Sequence, residues 1–213
     1  MLAIDTITVN GCNFLVTVSL HLYYRSAHYI PSKTTEQYMA ALQEILQIYN
    51  DSGFKISEIR SDNEFVSRLK KLKLSNSKVS KNNNIEIVTA NPQQYVPEIE
   101  RNNRFIKEKC RGLFHQTPYH TITKKMLIAM VYKAVTQTNY FPAANGISQY
   151  FSPHTIMHKN MVDYKKIKFA FGAYVQAHNK PVQENSMMPR TLCYLKSVDS
   201  PYGGHEMLNL PTN

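Results

Sequence analysis

Glu100, Arg104, Lys107 and Arg111 fall at i, i+4, i+7 and i+11 within PQQYVPEIERNNRFIKEKCRGLF, residues 92–114. On a helix this spacing makes one stripe, with a carboxylate at its start and a ladder of cations behind it. Such a stripe could bind a hard metal ion at its acidic end and track phosphates along its basic length. It is also the pattern of a solvated amphipathic helix with ordinary i, i+4 pairing. The chemical reading therefore needs partners elsewhere in the chain. Two other acids stand in suggestive contexts. Asp5 lies among the β-formers Ile4, Ile7 and Val9, and Asp62 closes the segment FKISEIRSD.

The elements that must position these groups can be read from the same stretches. Pro97 suits the first turn of a helix, where its missing amide would have no partner. Ile99, Ile106, Cys110 and Leu113 recur at helical spacing and would seat that helix on a core. An early acid and late cations also complement the helix dipole. Residues 3–18 predict two strands joined at Asn10-Gly11, a strong hairpin pair. A third strand is expected around residues 21–30. Thr34 with Gln37 predicts a capping box for a helix on Met39, Leu42, Ile45, Leu46 and Tyr49 that stops at Asp51-Ser52-Gly53. The strand FKISEIR follows, so strand–helix–strand predicts a crossover onto the same sheet, with Asp62 at a strand end. Residues 85–90 (IEIVTA) predict a further strand.

Residues 66–84 carry Arg68, Lys70, Lys71, Lys73, Lys78 and Lys81 with no acid between them. This is either a solvated segment or a mobile basic arm beside a polyanion. A second apolar helix is expected over residues 124–139, and a short one opening at Ser152-Pro153. FGAYVQ and TLCYLKSV then predict strands of a small module.

The chain has 213 residues and a net charge of +10, which favours polyanionic partners, nucleic acid first and anionic membrane second. Cys12, Cys110 and Cys193 are scattered, against a disulfide framework or a zinc knuckle. His154 and His158 are read as ordinary structural histidines. No segment resembles a signal peptide or is long and apolar enough to span a bilayer, so an intracellular location, nuclear or cytoplasmic, and no membrane partner are expected.

Taken in order, these segments resemble the catalytic core of retroelement integrases, the copia-type (Pseudoviridae) branch in particular. IEIVTANPQQYVPEIERNNRFIKEKCR is similar to that family's strand and loop leading into a Glu-Arg-x-x-Arg helix, and RSDNEF to the segment with its second acid. AIDTITVNG resembles the segment with the first, NYFPAANGISQYFSPHTIM the asparagine–proline–serine-proline stretch, and FAFGAYV with PRTLCYLKS the Phe-Gly strand and the start of a β-module.

The resemblance implies an α/β, RNase H-like mixed five-stranded sheet flanked by helices over residues 1–165, with a partial C-terminal β-module over 166–213. It implies Asp5, Asp62 and Glu100 as catalytic carboxylates holding two Mg²⁺ (or Mn²⁺) ions. The implied reaction is metal-dependent polynucleotidyl transfer, the 3′-end processing and strand transfer of DNA integration. Lys70, Lys71, Lys73, Arg104, Lys107 and Arg111 would bind DNA phosphates, and a homo-dimer or higher oligomer is implied as well.

The chain departs from the family pattern at several points. Asn63-Glu64 follows the second acid where the family has Asn-Gly, and Val96-Pro97-Glu98-Ile99 precedes the third, which makes Glu98 a rival ligand to Glu100. The family's upstream zinc module is missing from these residues, and the β-module stops short. An inactive or co-opted nucleic-acid-binding fragment of the same fold is therefore the alternative expectation. An RNase H-type nuclease is a third.

Overall fold

The computed structural model describes residues 1–61, 85–89, 97–164, 170–178, 190–197 and 205–209. The chain divides into two compact units: Met1–Lys109 with Ala134–Val162, and Cys110–Lys133 with Asp163–Asn213.

The first unit is built on three strands in sequence, β1 (Leu2–Val9), β2 (Cys12–Ser19) and β3 (Arg25–Ile30). β1 and β2 pair antiparallel around Asn10-Gly11, both at positive φ (42° and 78°). This is the backbone that a two-residue turn between twisted strands requires, and Asn-Gly adopts it at least cost. β3 begins at Arg25, later than the pattern predicts. The Ser19 amide first donates to the Tyr24 carbonyl, and the Ser19 carbonyl accepts from the Tyr23 amide, across a tight turn with Tyr23 at φ 54°.

Helix α1 (Thr35–Asp51) then crosses to β4 (Glu58–Ser61), which lies parallel to β1, and β5 (Glu86–Thr89) lies parallel to β4. The sheet order is β3-β2-β1-β4-β5. An antiparallel meander continued by parallel strands beside its first member is the RNase H-like arrangement: a mixed five-stranded sheet, open at both edges. Thr34 stands at the N-cap of α1, but its side chain makes no capping hydrogen bond. Gln37 instead accepts from the Ser32 amide at 3.4 Å, so the predicted capping box does not form. The C-terminal end follows expectation, with Gly53 at φ 84° just beyond the last turn.

Strand alternation gives the sheet two covered faces. Leu2, Ile4, Leu15 and Ile59 point to one side and pack with Leu42, Ile45, Leu46 and Tyr49 of α1. Ala3 and Val18 point to the other side and pack with Ile99 of helix α2 (Pro97–Gln116). Helix α3 (Lys124–Asn139) and the short α4 (Pro153–His158) follow. Ser152 caps α4 by accepting from the Thr155 amide, and Met157 joins the α1-side core.

The second unit contains an antiparallel sheet of β6 (Tyr174–His178), β7 (Arg190–Ser197) and β8 (His205–Asn209), in that order. Just before β6, Gly172 sits at φ 72°, where a Cβ would lie 2.9 Å from Thr117 Cγ2.

Candidate functional site

Asp5 occupies the middle of β1, a strand paired on both sides. The alternation that points Leu2 and Ile4 toward α1 points Ala3 and Asp5 toward α2. Asp5 is half-buried there. One carboxylate oxygen accepts from the Thr6 backbone amide at 2.6 Å and the other from Asn103 Nδ2 at 2.5 Å. Thr6, pointing the other way, donates its hydroxyl to Tyr38 of α1.

Helix α2 approaches this strand through one buried line. Ile99 rests on Ala3 and Val18, and Asn103, one turn on, meets Asp5. Ile106, Cys110 and Leu113 continue the buried line as predicted. Burial pushes the Cys110 thiol up to about 11. Glu100 lies in the first turn of α2, three residues before Asn103, and is exposed. Residues at that spacing are neighbours on a helix surface, so Glu100 sits one turn from the group that holds Asp5. Glu98 is exposed in the same turn. Arg104, Lys107 and Arg111 are all exposed, as the stripe predicts.

Asn103 was not singled out by the sequence reading, and neither was its neighbour Asn102. Both are buried, and both interrupt the apolar line between Ile99 and Ile106. That interruption was the available signal, since an amide in a buried stripe needs partners. Asn102 Oδ1 accepts from Arg25 Nε at 2.8 Å. Arg25 also donates to the Tyr23 carbonyl, and its guanidinium lies 5.7 Å from the Phe105 ring. Burial holds the Arg25 guanidinium below its usual pKa. The backbone of Arg25 is clasped by Asn139, which accepts from its amide and donates to its carbonyl. A buried polar chain thus ties β3 to α2 and to the end of α3.

The orientation of the Asn103 amide follows from Asp5, because the opposite orientation would set two oxygens against each other. Its own Oδ1 is then buried with no hydrogen-bond partner among the described residues. This amide oxygen and the Asp5 carboxylate are hard acceptors, the atom type that a divalent cation of the Mg²⁺ type takes. Among the described residues there is no group of three or more His, Cys, Asp or Glu side chains able to hold a metal ion. Asp62, Lys70, Lys71 and Lys73 lie outside the described residues. No described helix is long and apolar enough to cross a membrane.

Fold and site together define an RNase H-like sheet with an acidic group at the centre of its first strand. The chain is similar to the solved catalytic core domain of BIV integrase, with a TM-score of 0.49 and 18% identity over 74% of this chain and 93% of that one. No protein-family model matches the chain, and no curated protein matches it.

Proposed function

We propose that this chain is the catalytic core of a copia-type retrotransposon integrase, carrying out metal-dependent polynucleotidyl transfer on DNA. The observation that carries this reading is the hydrogen bond from Asn103 to Asp5. It joins α2, the helix that carries Glu100, to the central strand that bears Asp5. The register of β1 and β4 adds support. Ala3 is the partner of Arg60. Asp5 stands two residues beyond Ala3, as Asp62 stands two beyond Arg60 in the sequence, which favours reading the two carboxylates as one site.

In this reading Asp5, Asp62 and Glu100 hold two Mg²⁺ (or Mn²⁺) ions, with Glu98 the rival to Glu100. Bound there, the ions supply positive charge for the attacking and leaving oxygens of an in-line displacement at phosphorus. The chain's own groups orient the site. Asn103 and the Thr6 amide fix the Asp5 carboxylate. Arg104, Lys107 and Arg111, with Lys70, Lys71 and Lys73, bind phosphates, which positions DNA without reading its sequence. The nucleophile is water or a DNA 3′-hydroxyl, so no side-chain nucleophile is required. Residues 1–165 are the core in this reading, and 166–213 begin a β-module that contains the separate sheet of β6, β7 and β8; the compact units differ in grouping Cys110–Lys133 with that sheet. Self-association and an intracellular location, nuclear or cytoplasmic, belong to the same proposal.

The test is DNA nicking and strand transfer in Mg²⁺ or Mn²⁺ by the wild type, Asp5→Asn and Glu100→Gln. Both variants should lose the activity, and both should keep salt-sensitive DNA binding. A wild type that binds DNA and stays inactive with either metal would overturn the transferase reading in favour of a nucleic-acid-binding fragment.

A further inference from the structure

Helix α2 has two flanks beside its buried line. Glu100, Arg104, Lys107 and Arg111 share one of them. Phe105 and Lys109 lie about 140° and about 180° around the helix from Glu100, at about 100° per residue, and so belong to the other. Phe105 is 40% exposed there. The Arg25 guanidinium, from the start of β3, lies 5.7 Å from its ring centroid, and the Lys109 ammonium 5.6 Å. All three residues belong to the first compact unit.

Arg25 is held from several sides. Asn139 clasps its backbone through both the amide and the carbonyl. Asn102 Oδ1 accepts from its Nε at 2.8 Å, and the Tyr23 carbonyl accepts from its Nη1 at 3.2 Å. Every one of these partners is neutral. Among the described residues no carboxylate forms an ion pair with Arg25 or with Lys109, the exposed Glu98 and Glu108 of α2 included. A half-buried cation without a counter-ion is costly, and proteins normally pair such charges. A guanidinium already fixed in place loses little freedom on taking up an anion.

The surroundings select the anion. A carboxylate meets the edge of a guanidinium through two parallel hydrogen bonds. A slender Asp or Glu side chain can reach a half-buried guanidinium. The phosphates of a duplex sit on a stiff rod and suit protruding cations, such as the exposed Arg104 and Lys107 of the opposite flank. Phe105 calls for apolar surface beside the charge, which a peptide supplies and a duplex does not. With cations already over its ring, Phe105 is also a poor platform for an unpaired base.

We propose that this flank docks an acidic protein segment, with a carboxylate on Arg25, an apolar side chain on Phe105 and Lys109 at the rim. The surface is separate from the carboxylate chemistry and does not rest on it. The experiment is fluorescence anisotropy with the full chain in chelator, so that failure of the metal reading leaves it intact. The probes are a labelled peptide of alternating glutamate and leucine, its glutamine–leucine counterpart and a blunt duplex. The glutamate peptide should bind about tenfold tighter than the glutamine one, or more. Arg25→Gln should weaken it about tenfold or more, and so should Phe105→Ala with Lys109→Ala, two exposed positions whose change spares the core. Both variants should leave duplex binding within about twofold, and Arg104→Ala with Lys107→Ala should do the reverse. Equal affinity for the two peptides overturns the proposal. Parallel loss on peptide and duplex in the Phe105 and Lys109 variant does so too, since the two flanks would then be one undivided basic surface. If Arg25→Gln only melts earlier, while the Phe105 and Lys109 variant binds the glutamate peptide as the wild type does, Arg25 is a structural tie and the proposal falls.

Discussion

Asn103 on α2 donates its side-chain amide to the Asp5 carboxylate on β1, joining the helix that carries Glu100 to the central strand of the sheet. The amide is buried, so the bond is shielded from competing water.

Asn103→Ala should therefore destabilise the protein by about 1.5–3 kcal/mol, the usual worth of a hydrogen bond to a charged group. Urea denaturation measures this. The same variant should reduce metal-dependent turnover, because the carboxylate loses the restraint that Asn103 supplies. A variant as stable as the wild type would show that the bond contributes nothing.

Arg104→Ala and Lys107→Ala should each lower the slope of log affinity against log salt for duplex DNA by about 0.9, if each neutralises one phosphate. Lys55→Ala, an exposed side chain after α1, should leave the slope unchanged. Titrations from low to moderate salt distinguish the two cases.

His154 packs its ring 4.5 Å from that of His158 and 5.0 Å from Tyr140, and its Nδ1 is buried without a partner among the described residues. Burial, then the neighbouring His158, lowers its pKa from 6.5 to about 4. The unfolded chain thus takes up the proton first. Stability contributed by the neutral ring is present in full above 6.5 and falls as pH drops toward 4. His158, lowered by burial and 3.4 Å from the Tyr24 hydroxyl, adds a loss of the same sign. Thermal melts between pH 7 and 4.5 should show a decline that is shallower in His154→Gln.

Gly172→Ala should cost more than Gly11→Ala. Both glycines have positive φ, and that alone costs an alanine about 1–2 kcal/mol. An added Cβ at position 11 meets nothing within 4 Å, but at position 172 it meets Thr117 Cγ2 at 2.9 Å. Thermal melts of the two variants, with Gly172→Ala the less stable, check this.

The parts of the fold that local pattern dictates were legible in the sequence. Asn10-Gly11 announces the hairpin, the alternation of residues 2–7 sets the strand faces, and Pro97 opens α2 where the structure has it. Asp5 and Glu100 could be selected by type and context. The meeting of Asp5 with α2 could not, because it depends on how α2 lies across the sheet. Asn103 escaped for the same reason: its role exists only once Ile99 has docked on Ala3. The capping box failed because side-chain caps depend on the local approach of the chain, and here Gln37 reaches Ser32 instead.

The placement of β1 also sets an order of assembly. Its antiparallel neighbour follows directly and can pair as soon as both emerge from the ribosome. Its parallel neighbour requires α1 to have crossed first, and Asn103 is made later still. A nascent chain can therefore bring β1 and β2 together before α2 exists, though an isolated hairpin is only marginally stable. The bond that holds the Asp5 carboxylate to Asn103 forms only once α2 has been synthesised and docked.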